Sequence, residues 1–298
     1  MVRLLVLLGR TFGAWVVRLA AGVIASGYFL FARRRVATSV AFYRALFPTA
    51  TVPALYVHAW RQFQQFALLF SDRLRFRTAS GLRYAADGDE HLQELHRQGR
   101  GCVMLMSHVG NWEAAAYVSQ RQGYRLLIYM GRREGEQVEA VQKEDLRASG
   151  LPVVAVGTHD GSPLDGLAGL RFLREGGFVA MSADRAWTTG QRTLSTRFLG
   201  RRVSLPAAPY ALALAAGVPL VVFFCLRERD GSYRLLVREP FLLPRVPRER
   251  RDDALRLAAD GYLRELRAVI ETWPHQWGHF EPFLHDEDPA PRPSGTAP

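Results

Sequence analysis

The chain has 298 residues, 48% of them hydrophobic, and a formal net charge of +11. That is enough apolar material for a sizeable core, and the expected organisation is one large α/β domain with a small N-terminal appendage. Residues 1–80 carry eleven arginines and one acid, Asp72, while the rest of the chain is nearly balanced; a basic block among apolar residues suits an anionic membrane leaflet and argues against nucleic acid.

Residues 11–32 read as an apolar helix of about the ~20 residues that cross a hydrocarbon core. Their one charge, Arg18, would cost ~2.5 to 3.5 kcal/mol at the centre of a bilayer, whereas a helix lying in the interface lets it snorkel. Spanning and interfacial readings both stand. No small-residue cleavage site follows Tyr28-Phe29-Leu30-Phe31, which disfavours a removed signal peptide. The cluster Arg33-Arg34-Arg35 belongs on the cytoplasmic side. Residues 1–35 are therefore expected to associate with a membrane and 36–285 to form the main domain, helical to residue 80 and α/β from 81. Within 36–76, Phe42, Tyr43, Leu46, Tyr56, Trp60, Phe63, Phe66, Leu69 and Phe70 recur at helical spacing, and Pro48 and Pro53 mark a break; the stripe is expected to face the core.

From residue 81 helices and strands alternate. A helix is expected near 87–98, then a strand over 102–106, a helix from Trp112, and a strand over 125–130. A helix over 136–148, a strand over 152–156, a loop 157–162, a helix near 164–175 and a strand over 177–183 follow. Strands over 220–226 and 233–238, a helix over 251–272 and a disordered Pro-rich tail from 286 to 298 complete the chain. The rhythm implies an α/β fold with a largely parallel mixed sheet flanked by helices.

The apolar strand 102–106 stops at Ser107-His108, where Gly110 and Asn111 supply turn and cap chemistry. Ligands bind beyond the carboxyl ends of parallel strands, so a histidine there with a carboxylate five residues on, Glu113, is placed for chemistry. His108 would be the general base and Glu113 the group that fixes its tautomer. The bland alternative is a hydrogen-bonded turn histidine and an acid answering the helix dipole. Gly110 and Asn111 would let backbone amides approach an oxyanion, or only make a tight turn. Asp184 and Arg185 leave a second strand end and are expected at the same edge, Arg185 as a phosphate or oxygen ligand, or the two as a structural ion pair. Arg132 and Arg133 are further candidates on weaker grounds, and the neighbours His159 and Asp160 read as turn chemistry. Cys102 and Cys225 fall in apolar runs and look like buried hydrophobes, so no disulfide framework or metal site is expected. No C-x-x-C, H-E-x-x-H, G-x-S-x-G or P-loop pattern occurs.

The order Ser107-His108-Val109-Gly110-Asn111-Trp112-Glu113 resembles the H-x4-D/E signature of the lysophospholipid acyltransferase superfamily, in its lipid A biosynthesis acyltransferase-like branch. Other segments agree in order: Arg33-Arg34-Arg35 with Leu46-Phe47-Pro48, then Ser71-Asp72-Arg73, Ala183-Asp184-Arg185, Arg197-Phe198-Leu199-Gly200 leading to Leu205-Pro206, and Trp273-Pro274-His275-Gln276-Trp277. The likeness covers roughly residues 30–284, and the chain departs from it at Gly278-His279 and Glu281-Pro282. The resemblance implies that His108 deprotonates an acceptor hydroxyl, which attacks an acyl thioester without a covalent acyl-enzyme. The stretch from Phe198 to Pro206 would then be a loop before the helix flanking the cleft. It further implies a membrane lipid acceptor, acyl carrier protein or coenzyme A thioester as donor substrate with no cofactor, and the cytoplasmic face of a bacterial inner membrane. Hydrolysis at the same site, or a non-catalytic lipid-binding role, are the alternatives. If acyl carrier protein is the donor, Arg61, Arg73, Arg75 and Arg77 are expected to help dock it.

Overall fold

Five strands that are apolar along most of their length must be covered on both faces, and the architecture follows from that requirement. A computed structural model of the chain describes residues 14–76, 82–131, 146–147, 150–156, 163–186 and 190–285. Strand β2 (Cys102–Met106) stands at the centre of a seven-stranded sheet. On one side lie β5 (Phe178–Ser182), β3 (Leu126–Gly131) and β4 (Val153–Val156); on the other lie β8 (Leu220–Arg227), β9 (Tyr233–Val237) and β1 (Tyr84–Asp87). All neighbours pair in parallel except β8 and β9, which form an antiparallel pair across the turn at 229–232. The expected largely parallel mixed sheet is the sheet observed.

Successive residues of β2 point to opposite faces. Val103 and Leu105 join a core with helices α2 (Arg33–Leu46), α3 (Val52–Phe76) and α8 (Arg251–Thr272), among others. Cys102, Met104 and Met106 join a second core with α4 (Glu90–Arg97) and α5 (Trp112–Arg121). Helices α6 (Pro163–Arg174) and α7 (Ala208–Ala216) complete the first layer. Both cysteines are buried and free.

The stretch from Phe198 to Pro206, expected from the resemblance as a loop, belongs to a hairpin of β6 (Thr193–Phe198) and β7 (Arg201–Pro206). Leu194, Phe198, Val203 and Leu205 bury one face of it, and the Leu199-Gly200 turn has φ of 50° and 77°, the left-handed twist that a two-residue hairpin turn requires. The strand β1 was not foreseen. The tail from 286, the loop 157–162 with His159 and Asp160, Arg132, Arg133 and Arg77, and nearly all of the helix expected over 136–148 lie outside the described residues, as do the side chains of Arg73 and Arg75.

At the N-terminus, α1 (Ala14–Phe31) lies on α3: Gln64 Nε2 donates to the Gly22 carbonyl and the Ser26 hydroxyl, and Phe29 meets Phe63 edge-on. The aromatic stripe of α2 and α3 divides between two environments. Phe42, Tyr43, Phe63 and Leu69 are buried as expected, but Tyr56, Trp60 and Phe66 are exposed. Trp15, Leu19, Val23, Leu30 and Phe31 of α1 are exposed too, Phe31 at 86%. No described helix is long and apolar enough to cross a membrane.

Candidate active site

Parallel register decides what meets His108. Met106 of β2 lies opposite Ser182 of β5, so two residues beyond each strand end His108 faces Asp184. The Nδ1–H of His108 donates to Asp184 Oδ1 at 2.8 Å, and its backbone N–H donates to Oδ2 at 2.8 Å. Trp277 Nε1–H adds a bond to Oδ2 at 2.9 Å and the Ser182 hydroxyl one to Oδ1 at 3.1 Å. A carboxylate has about four lone-pair sites, and here all four are taken. Burial pushes the Asp184 carboxyl up, but the charge and hydrogen bonds of His108, with the field of His279, outweigh it and hold the group well below the usual carboxylate range.

Two expectations are corrected by this geometry. The carboxylate on Nδ1 belongs to Asp184 and not to Glu113, which is buried in the first turn of α5. Asp184, for its part, is fully buried with its oxygens occupied, so it supports His108 and does not reach a substrate. The reason lies in the turn after His108, which crosses toward β8 on the side away from β5. Gly110 pairs there with Cys225, its φ is +73°, and a Cβ would lie 2.0 Å from the Cys225 carbonyl oxygen. No side chain fits.

The amides of Gly110 and Asn111 do not face a ligand either. Gly110 N–H donates to the Gln276 carbonyl at 2.9 Å and Asn111 N–H to the Cys225 carbonyl at 2.6 Å. The Asn111 side chain is used in full as well: Oδ1 caps α5 at the Ala114 N–H, and Nδ2 donates to Leu69 O and Tyr233 Oη. Both residues build the turn that presents His108, and their expected substrate-binding role is corrected to that.

The closing segment locks the same turn from outside. Gly278 N–H donates to His108 O at 2.7 Å and Val109 bridges Trp277, so 276–278 runs antiparallel to 108–110. Gln276 extends β8 like a strand neighbour, accepting from Arg227 N–H at 2.8 Å and donating to Arg227 O at 2.7 Å. Gln62 of α3 donates to the Trp277 carbonyl and Tyr43 of α2 to that of Pro274. The helical segment 36–76 is thereby part of the site's frame. Arg185 pairs with Glu281 at 2.6 Å, not with Asp184, and stays partly exposed. Arg132 lies outside the described residues.

What remains open is His108 Nε2. The side chain is 27% exposed, and among the described residues nothing hydrogen-bonds this nitrogen. A neutral imidazole with Nδ1–H held by a buried carboxylate and Nε2 facing solvent is a ready general base. No group of three or more metal-ligating side chains occurs among the described residues. Sequence reasoning missed Trp277 as a donor to Asp184, and it missed His279, whose ring centre is 6.3 Å from that of His108.

A family model of bacterial lipid A biosynthesis acyltransferases matches residues 53–284, from the start of α3 through the segment that locks the site. The chain belongs to that family, a family of acyltransferases in lipid biosynthesis. No individual curated protein matches the chain.

Proposed function

We propose that the protein moves a fatty acyl group from a thioester of acyl carrier protein or coenzyme A to a hydroxyl or amine of a glycolipid or lysolipid acceptor. The observation that carries the reading is the His108–Asp184 pair with Nε2 open at the carboxyl edge of the sheet. In an acceptor hydroxyl, Nε2 takes the proton as the oxygen attacks the thioester carbonyl carbon. The new C–O bond forms, the C–S bond breaks, and the imidazolium returns its proton to the departing thiolate. Asp184 holds Nδ1–H in place and stabilises the imidazolium between the two transfers.

The reading places the enzyme at the cytoplasmic face of a bacterial inner membrane. Its support is the exposed apolar surface of α1 and α3 together with the exposed Arg33, Arg34 and Arg35, a pairing suited to an anionic interface. Phe66 on this surface would be 3.2 Å from a Cβ on Gly278, the residue bonded to His108 O, so the apolar face runs up to the site.

His108→Ala is expected to lower transfer of labelled acyl groups from acyl carrier protein to total membrane lipid by about 10²- to 10⁴-fold, with an unchanged circular dichroism spectrum. Near-normal turnover in that variant overturns the assignment. Label released only as free fatty acid marks a hydrolase instead.

A further inference from the structure

The apolar length of α1 suits a helix that crosses a bilayer as well as one that lies along it, and its contacts separate the two. Eighteen residues at ~1.5 Å each make roughly 27 Å, about the hydrocarbon thickness, so in a crossing helix the middle residue, Gly22, would stand at the bilayer centre. That is where α3 is fastened. Gln64 Nε2 donates to the Gly22 carbonyl at 3.2 Å and to the Ser26 hydroxyl at 2.9 Å, and Trp60 Nε1–H donates to the same hydroxyl at 3.1 Å. Tyr28 and Phe29 then pack on Phe63 at ring-centre distances of 6.0 and 5.3 Å. α3 cannot follow α1 into hydrocarbon. Arg61, exposed beside Trp60, would be carried toward the centre, where an arginine is costly. Gln62 and Asp72 tie the same helix to the Trp277 carbonyl and to Arg227, within the frame of the domain.

What the two helices expose is matched to the surface of a leaflet. Most of the large apolar side chains that are exposed among the described residues lie on α1 and α3. Residues 14–76 contain one acid, Asp72, and it is buried against Arg227. Arg18, Arg33, Arg34, Arg35, Arg44 and Arg61 are exposed, and none of them forms an ion pair with a described residue. We infer that α1 does not cross the bilayer, and that α1 and α3 lie side by side in one interface as a platform for an anionic lipid surface. Trp15, Leu19, Val23 and Phe31 enter the upper acyl region and the arginines meet the lipid phosphates. This rests on the membrane placement proposed above and not on the chemistry at His108.

The test reconstitutes the whole chain from detergent into vesicles of phosphatidylcholine mixed with phosphatidylglycerol. A fluorescent maleimide is placed on Trp15→Cys, Val23→Cys or Phe31→Cys, one site per variant, since Cys102 and Cys225 are buried. Lipids brominated high on the acyl chain should quench all three labels more than lipids brominated near the chain end. A Val23→Cys label that chain-end bromines quench best, between two shallow neighbours, puts the middle of α1 at the bilayer centre and overturns the inference. Replacing Arg33, Arg34 and Arg35 together by Gln should weaken flotation with these vesicles on the order of 10²-fold and leave acyl transfer in detergent unchanged. Undiminished binding in that variant, or equal binding of the intact chain to vesicles of phosphatidylcholine alone, overturns the anionic partner. If the intact chain binds neither kind of vesicle, the membrane placement fails and the inference with it, while acyl transfer in detergent still decides the reading of His108.

Discussion

Two of the buried carboxylates near the site, Asp184 and Asp72, differ in what seals them. Asp184 gathers His108, Trp277 and Ser182, and one of those partners, His108, stays partly exposed. Asp72, on α3, accepts from Arg227 Nε at 2.7 Å and from Tyr233 Oη at 2.9 Å, and Arg227 is itself closed from solvent. Tyr233 in turn receives Asn111 Nδ2, and Arg227 is clasped by Gln276, so the second cluster holds both strands of the turn that presents His108. A buried ionic network confers reactivity only where one member keeps a free atom in reach of a substrate. Where every atom is spoken for, the same chemistry acts as scaffold.

The largest effect that tests this contrast is Asp184→Asn. Oδ2 of Asp184 receives two N–H groups that cannot turn away, from the His108 backbone and Trp277. The amide oxygen must stay there, which turns the amide NH2 toward His108 Nδ1. Nδ1 then has to accept, and the proton moves to Nε2, the nitrogen that should receive the substrate's proton. Activity should fall on the order of 10³-fold with the fold retained. The ring 15N shifts of His108 should report the exchanged tautomer; unaltered shifts with full activity would remove Asp184 from the mechanism.

Asp72→Ala should do the reverse, costing stability first. Stripping one partner from a buried pair leaves Arg227 without its carboxylate, at about 3 to 5 kcal/mol in urea unfolding. Turnover per folded molecule should change little. Replacing both partners with apolar residues, as in Asp72→Leu with Arg227→Met, should recover most of the loss. A variant that keeps its stability but loses turnover would mean that the second cluster takes part in catalysis.

The contrast also explains what could be read from sequence. The place of His108 was legible because an apolar run ends abruptly at a polar pair, and that is a local signal. Its partner was not. The spacing of His108 and Glu113 suggested a local pair, whereas Asp184, 76 residues on, becomes the neighbour only because β5 inserts between β2 and β3, an order that the succession of elements does not reveal. Gly110 and Asn111 have the composition of a ligand loop, yet a glycine that approaches a ligand and one that crosses a backbone carbonyl look alike in sequence. The hairpin at 193–206 did carry a signal, alternation on either side of Leu199-Gly200, which the reading of Phe198 to Pro206 as a loop passed over. The sheet itself was readable, since continuous apolar strands separated by helical stretches leave few other architectures.

The smallest expected effect concerns acid. Histidines gather along the closing segment, at His275 and His279 with His58 beside them, and not in the Asp72 cluster. His58 of α3 and His275 are hydrogen-bonded to each other at 2.9 Å, Nδ1 to Nε2, so one ring must remain an acceptor. Burial, then the charges of His58 and Arg61, lowers His275 to about 4, and burial with Arg61 lowers His58 as well. His279 is likewise held at about 4. In the unfolded chain each histidine binds its proton near pH ~6.5. Between about 6.5 and 4 the unfolded state therefore holds more protons than the folded one, and stability falls with pH across that window and levels off below it. Asp184 is shifted in the same direction but from a lower starting value, so its contribution is present above the unfolded carboxyl value of ~3.9 and is lost only below that. The two windows do not overlap. Urea unfolding at pH 7 and pH 5 should differ by on the order of 2 kcal/mol, allowing for partial exposure of the rings. His275→Phe should shrink that difference, because one of the depressed groups is gone, while Asp72→Asn should leave it intact. A pH slope that His275→Phe does not alter would place the acid sensitivity elsewhere and would remove this distinction between the two clusters.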